Sequence, residues 1–263
     1  MSSADPIIAA LISGNDELTG LVSGFSDDDL AHSSGAAEWD ISQVLSHLGS
    51  GAEIGRAGLQ AALDGDSSPG ADFNRSVWDK WDAMSRRERA DGFLRANQAL
   101  LALYESLDEH TRENLRIDLG FLPAPVDLAT AARMRLSEFT LHSWDVRAGF
   151  DEGATLPLDA TTALLHGEPN LIAWLGKADA LDGRELTVQV TTTDPASVVT
   201  LHLRAPIGTD PGAPERPDGT LALPAEAWLR LVAGRLAPEH TPTSVIAAGV
   251  ADLNLLRQVF PGY

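Results

Sequence analysis

Glu138 and His142 stand four residues apart in the run Arg133-Met-Arg-Leu-Ser-Glu-Phe-Thr-Leu-His-Ser-Trp-Asp-Val-Arg147. On an α-helix that spacing projects both side chains from adjacent turns of one face. Such a pair is open to two readings. It can be a surface ion pair, worth roughly 0.2–0.5 kcal/mol, or two of the three protein ligands that an open zinc site requires. The surrounding pattern bears on the choice. No Pro or Gly interrupts residues 126–148, and Gly149 supplies a stop, so the stretch predicts one helix. At about 100° per residue, Leu128, Phe139 and Val146 fall on one flank of an arc, and Met134, Leu141 and Ala148 on the other. Arg135, Glu138, His142 and Asp145 fill its middle, the line expected to be most buried. Burying charge without a partner is costly, so groups there pair, neutralise or bind a metal. Asp145 could accept the free imidazole N–H of His142 and fix its tautomer, or pair with Arg135 or Arg147. Arg135 could neutralise Glu138 or hold a substrate carboxylate.

Other elements have to bring a third ligand to that line. Asp5-Pro6 opens a first helix with Asp5 as its cap, carrying Ile7, Ile8, Leu11 and Ile12. Gly14 either breaks or weakens it, and a further segment runs to Val22. Ser26-Asp-Asp-Asp29 reads as a helix cap or as a solvated acidic loop. Asp40 caps a second long helix with Ile41, Val44, Leu45, Leu48 and Ala52 on its apolar face. His47 borders that face, in line with Val44, Gly51 and Ile54, as a satisfied structural histidine or as a ligand. The glycines at 49, 51, 55 and 58 lower helix propensity and permit close approach of a neighbour. Residues 64–70 read as a loop, and residues 85–107 as another helix with Phe93, Leu100 and Tyr104 among its core candidates. Trp39 and Trp144 read as core. Four long helices in about 150 residues predict a bundle, with ligands projecting inward from facing helices.

The pattern changes after Gly149. A helix is expected near Leu158–Leu175, containing His166 and Trp174. Glu185–Thr193 and Val198–Arg204 alternate as strands do and predict an antiparallel pair. A Gly- and Pro-rich loop covers Ile207–Gly219, a short strand Thr220–Leu223 enters a helix at Pro224, and a last helix spans Ser244–Val259. The expected fold class is α+β: an N-terminal helical bundle over residues 1–152, then a smaller α+β domain with a short antiparallel sheet over residues 153–263.

Composition narrows the chemistry. The net charge of -19 argues against nucleic acid or an anionic membrane as partner. No apolar run reaches the roughly 20 residues that span a bilayer, and Met-Ser-Ser-Ala-Asp-Pro lacks the features of a secretory signal. A cytoplasmic monomer or homodimer is expected. There is no cysteine, so disulfides, thiolate metal sites and a cysteine nucleophile are excluded. Any metal must be held by His, Asp or Glu, and any thiol chemistry must use a thiol from outside.

Two segments together resemble the mycothiol-dependent maleylpyruvate isomerase family. Trp39-Asp-Ile-Ser-Gln-Val-Leu-Ser-His47-Leu is similar to its second-helix motif, and Glu138-Phe-Thr-Leu-His142-Ser-Trp-Asp145 to its fourth-helix motif. Leu221–Leu236 and the terminal Val259-Phe-Pro-Gly262 resemble its second domain, which is related to sterol-carrier-like modules. The resemblance implies a DinB-like four-helix bundle that holds a divalent metal, usually zinc, through His47, Glu138 and His142. It also implies an arginine of the second domain near the pocket, for which Arg230 and Arg235 are the candidates; each could equally brace its helix.

The activity so implied uses mycothiol, a low-molecular-weight thiol, which adds to or is transferred onto a small electrophile. In the isomerase reaction the thiol adds to a cis double bond, the resulting single bond rotates, and elimination gives the trans product. Two other readings fit the residues: a hydrolase that uses metal-bound hydroxide, and a non-catalytic module that binds an apolar ligand in its second half.

Overall fold

The computed structural model describes residues 2–165, 172–250 and 252–262. The chain divides into two compact units, Met1–Asp151 and Glu152–Tyr263.

The first unit is helical. α1 (Asp5–Val22) is capped at Ala4, with Asp5 in its first turn and Pro6 behind it. It runs unbroken through Gly14, because burial of Ile7, Ile8, Leu11, Leu18 and Val22 outweighs a glycine penalty of about 1 kcal/mol. A capping box between Ser26 and Asp29 starts the short α2 (Asp27–Leu30), so the acidic run is a cap. A second capping box, Asp40 with Gln43, starts α3 (Ile41–Asp64). α4 (Gly70–Asp82) is an element that the sequence pattern did not announce. It delivers Trp81 to Gly49 of α3, where a Cβ would collide with the indole. The glycine that weakens α3 locally is therefore what admits α4. α5 (Arg86–Ser106) begins at a Ser85–Glu88 capping box, and α6 (Glu109–Asn114) follows. A minimal antiparallel ladder of β1 (Arg116–Ile117) and β2 (Val126–Asp127) leads into α7 (Leu128–Ala148).

The four long helices close into a ring: α3 packs on α5 and α7, and α1 packs on the same two. Ile7, Leu11, Leu45, Leu48, Phe93, Leu100, Leu136 and Phe139 fill its centre. α7 is buried more widely than one apolar arc, since Thr140, Ser143 and Trp144 are buried as well. It ends at Gly149, which keeps right-handed dihedrals. Glycine is needed there for space, because a Cβ would meet the carbonyl oxygen of Ser33 at 2.5 Å.

The second unit is α+β. The helix expected over Leu158–Leu175 is represented by α8 (Leu158–Leu165) and α9 (Ile172–Leu175), and His166 lies outside the described residues. Five strands follow: β3 (Leu186–Thr193), β4 (Ser197–Leu203), β5 (Gly208–Pro211), β6 (Gly219–Pro224) and, after α10 (Ala225–Val232), β7 (Ile246–Gly249). α11 (Leu253–Val259) comes last. The strand order is β5-β4-β3-β6-β7. The expected antiparallel pair β3/β4 forms the middle, but β3 and β6 run parallel, so the sheet is mixed. Two expectations fail at its edges. The loop over Ile207–Gly219 contains β5, and the helix over Ser244–Val259 is split into β7 and α11. The open edge of β6 takes up Ile246–Gly249 by antiparallel pairing, which overrides the helix propensity of its alanines. One face of the sheet buries Val188, Val190, Leu201, Leu203 and Leu221 against Trp228, Leu231, Leu256 and Phe260. No helix among the described residues is long and apolar enough to cross a membrane.

Candidate metal centre

Two capped helices carry the chemistry. Asp40 Oδ1 accepts from the Gln43 backbone N–H at 2.9 Å and from the Ser42 hydroxyl at 2.7 Å, which fixes the start of α3 two turns before His47. Asp127 Oδ1 accepts from the Thr130 N–H at 2.7 Å and fixes the start of α7. The α3–α7 contact then brings His47 beside Glu138 and His142. Glu138 Oε2 lies 3.1 Å from His47 Nε2 and 3.8 Å from His142 Nε2. One donor atom from each of the three side chains fits within 4.8 Å of the others. Ligands held at zinc–nitrogen and zinc–oxygen lengths in a tetrahedron stand roughly 3.3 Å apart. These donors are of the right type and near that spacing, so they could hold a divalent cation.

Burial is graded along α7. The Asp145 side chain is 0% exposed, His142 5% and Glu138 41%, and His47 across from it is 39% exposed. The closed end is the tautomer-fixing end. Asp145 Oδ2 sits 2.8 Å from His142 Nδ1, so an imidazole that donates its Nδ1–H to this carboxylate turns the lone pair of Nε2 to the cluster. Arg135 does not pair with Asp145 in this geometry. Its Nη2 donates to the Leu48 carbonyl at 2.9 Å and to Asn97 Oδ1 at 2.7 Å, tying α7 to α3 and α5. Burial pushes its guanidinium down to about 10, with Tyr104 and Glu138 pulling the other way, so it is cationic at neutral pH. Burial likewise pushes the Tyr104 phenol up to about 12.

The family description "mycothiol maleylpyruvate isomerase N-terminal domain" matches residues 13–147, just over half of the chain. The chain belongs to this family. The matched segment contains His47, Glu138, His142 and Asp145. Among solved structures, a mycothiol-dependent maleylpyruvate isomerase has 14% sequence identity and a TM-score of 0.63, with 94% of this chain and 93% of that chain covered. A histidine-to-alanine variant described by the same name gives the same values. At this identity the likeness is one of fold, and it extends over both units. No curated protein matches the chain.

The family match ends before the two arginines expected near a pocket. Arg230 is 1% exposed. Its Nε and Nη2 hold Glu226 at 2.7 and 3.0 Å, and Nη1 reaches the His240 carbonyl at 2.8 Å. That is the geometry of a brace. Arg235 is half-buried and donates to the Ala233 carbonyl at 3.0 Å. Sequence reasoning also misjudged Trp39. Trp144 is core at 1% exposure, but Trp39 is 36% exposed. Its ring centroid lies 5.4 Å from that of His47 and 5.9 Å from that of His142. The available signal was its position just before the Asp40 cap, from which a large side chain folds back over the first turns of a helix.

Proposed function

We propose that this protein is a divalent-metal-dependent enzyme that uses mycothiol, or a thiol like it, to add to or transfer onto a small electrophile, with maleylpyruvate-type cis–trans isomerisation as its leading activity. One observation carries the reading: His47, Glu138 and His142 converge with Asp145 behind them, inside the segment matched by the family. His47, Glu138 and His142 would hold the cation. Bound there, a zinc-like ion supplies positive charge that favours the thiolate form of an incoming thiol at neutral pH.

The chain's own residues do the rest. Asp145 keeps the proton of His142 on Nδ1 and so keeps Nε2 available as a ligand. The Glu138 carboxylate lowers the net charge of the centre. Arg135 locks α7 against α3 and α5, so the distance between His47 and Glu138 is held by the bundle core. The half-exposed sides of His47 and Glu138 are where thiol and electrophile can enter. Having no cysteine, the chain takes its sulfur from solution. That sulfur forms a bond to one alkene carbon, and the electron pair moves onto the conjugated carbonyl. After rotation about the new single bond, the electron pair returns, the alkene re-forms and the carbon–sulfur bond breaks, so the thiolate is released unchanged. The reading also puts the enzyme where such a thiol stays reduced, the cytoplasm. We assign residues 153–263 to a separate domain of sterol-carrier-like type, in support of which its apolar core is self-contained.

Cobalt substitution tests this. With cobalt in place of the native metal, mycothiol should produce a sulfur-to-metal charge-transfer band, and turnover should require the thiol. No band at saturating thiol, with an ester hydrolysed in its absence, would make the protein a hydrolase.

A further inference from the structure

His142 and His47 are held in different ways. A histidine that binds metal is usually oriented by a carboxylate or carbonyl on its other ring nitrogen. Asp145 does this for His142. His47 has no counterpart among the described residues: its hydrogen bond is made by Nε2, to Glu138 itself. What His47 meets instead is aromatic. Its ring lies 5.4 Å from that of Trp39 at 46° and 4.5 Å from that of His142 at 62°. Trp39 also stacks on His142, at 5.9 Å and 25°. The three rings touch pairwise.

Trp39 is itself tied down. It follows Glu38, which adopts a left-handed φ of 67°, a strained conformation for a side chain with a Cβ. The Trp39 carbonyl accepts from the Ser34 hydroxyl at 2.9 Å and the Ser34 N–H at 3.2 Å. Gly35 N–H donates to the Asp145 carbonyl at 2.7 Å, which anchors the same segment to α7. The next residue, Asp40, is the α3 cap. A strained, four-point-anchored segment carries an indole that remains partly exposed over two candidate ligands.

We propose that Trp39 is a positioning residue: its indole does for His47 by ring packing what Asp145 does for His142 by hydrogen bonding. The proposal rests on the metal reading above. It predicts that the indole lies close enough to the ion to report on it.

The test is cobalt(II) titration of the metal-free full chain, followed both by cobalt absorption and by tryptophan fluorescence. In the parent, cobalt should quench part of the emission with the same midpoint as the absorption. Trp39→Phe should keep the affinity within about threefold, the change expected when ring packing is retained, but lose most of the quenching; Trp39→Ala should weaken binding about tenfold or more, the lower end for changes behind a ligand. Equal affinity of Trp39→Ala and parent overturns the positioning role while leaving the metal site standing. Undiminished quenching in Trp39→Phe overturns the proximity of the indole. A parent that takes up no cobalt overturns the metal reading, and this proposal with it.

Discussion

Each unit buries an acid–base pair on one face of a helix, and the two pairs end differently. In α10, Glu226 and Arg230 are four residues apart, and the guanidinium is held by that carboxylate and by backbone carbonyls of its own unit. Both side chains of this pair are buried. In α7, Asp145 is equally buried, but its hydrogen bond to His142 is the inner end of a chain of groups that runs outward to the half-exposed Glu138 and His47. Burial of charge alone does not separate a brace from a site. The direction in which the network opens does, and so does the kind of atom at its open end: imidazole nitrogen and carboxylate oxygen bind cations, whereas a guanidinium has only donors.

The largest effect is expected in the second unit. Arg230→Ala strands Glu226 without its partner and should cost about 3–5 kcal/mol of stability, read by denaturant unfolding, with metal content per folded chain unchanged. Arg230→Met combined with Glu226→Leu should recover most of that loss. Metal loss in the folded Arg230→Ala protein would mean that the two networks are not independent. On the site side, Asp145→Asn should weaken metal binding about 10–100-fold, because a carboxamide can present its N–H to Nδ1 and send the imidazole proton to Nε2. Competition with a metal chelator measures this, and an unchanged constant would leave Asp145 a purely structural acid.

The smallest effect concerns the caps that start α2, α5 and α6. The carboxyls of Asp29, Glu88 and Asp108 are held below their ordinary values, by the Ser26 hydroxyl, the Ser85 hydroxyl and the Thr111 backbone N–H respectively. A carboxyl depressed in the folded state stabilises it above the unfolded value, near 4, and that contribution is lost as pH falls through the lower folded value. The melting temperature of the metal-free protein should therefore fall as pH drops below about 4. Replacing Ser26 and Ser85 by Ala should flatten that slope; an unaltered slope would assign the acid sensitivity to other carboxylates.

What could be read beforehand follows from where the controlling interactions lie. Asp40, Ser85 and the spacing of Glu138 and His142 act over three or four residues, so the starts of α3 and α5 and the shared face of Glu138 and His142 were legible. That His47 meets Glu138 and His142 was expected only from its motif, because nothing in its own sequence surroundings distinguishes a ligand from a structural histidine. The rest depends on distant partners. α4 exists because Trp81 fits against Gly49, and that complementarity has no local pattern. Ile246–Gly249 is a strand because β6 has a free edge. Trp39 looks like core in the sequence, yet its surroundings are set by a left-handed Glu38 and by α7, more than 100 residues later.

On the proposed reading, His47, Glu138 and His142 jointly hold one ion. Elemental analysis of the purified chain and of its His47→Ala variant tests it most directly. About one divalent ion per parent chain is expected, as an open three-ligand site takes, with a large loss in the variant and the helical far-ultraviolet spectrum preserved. A parent without metal, or a folded variant that retains its full complement, would contradict it.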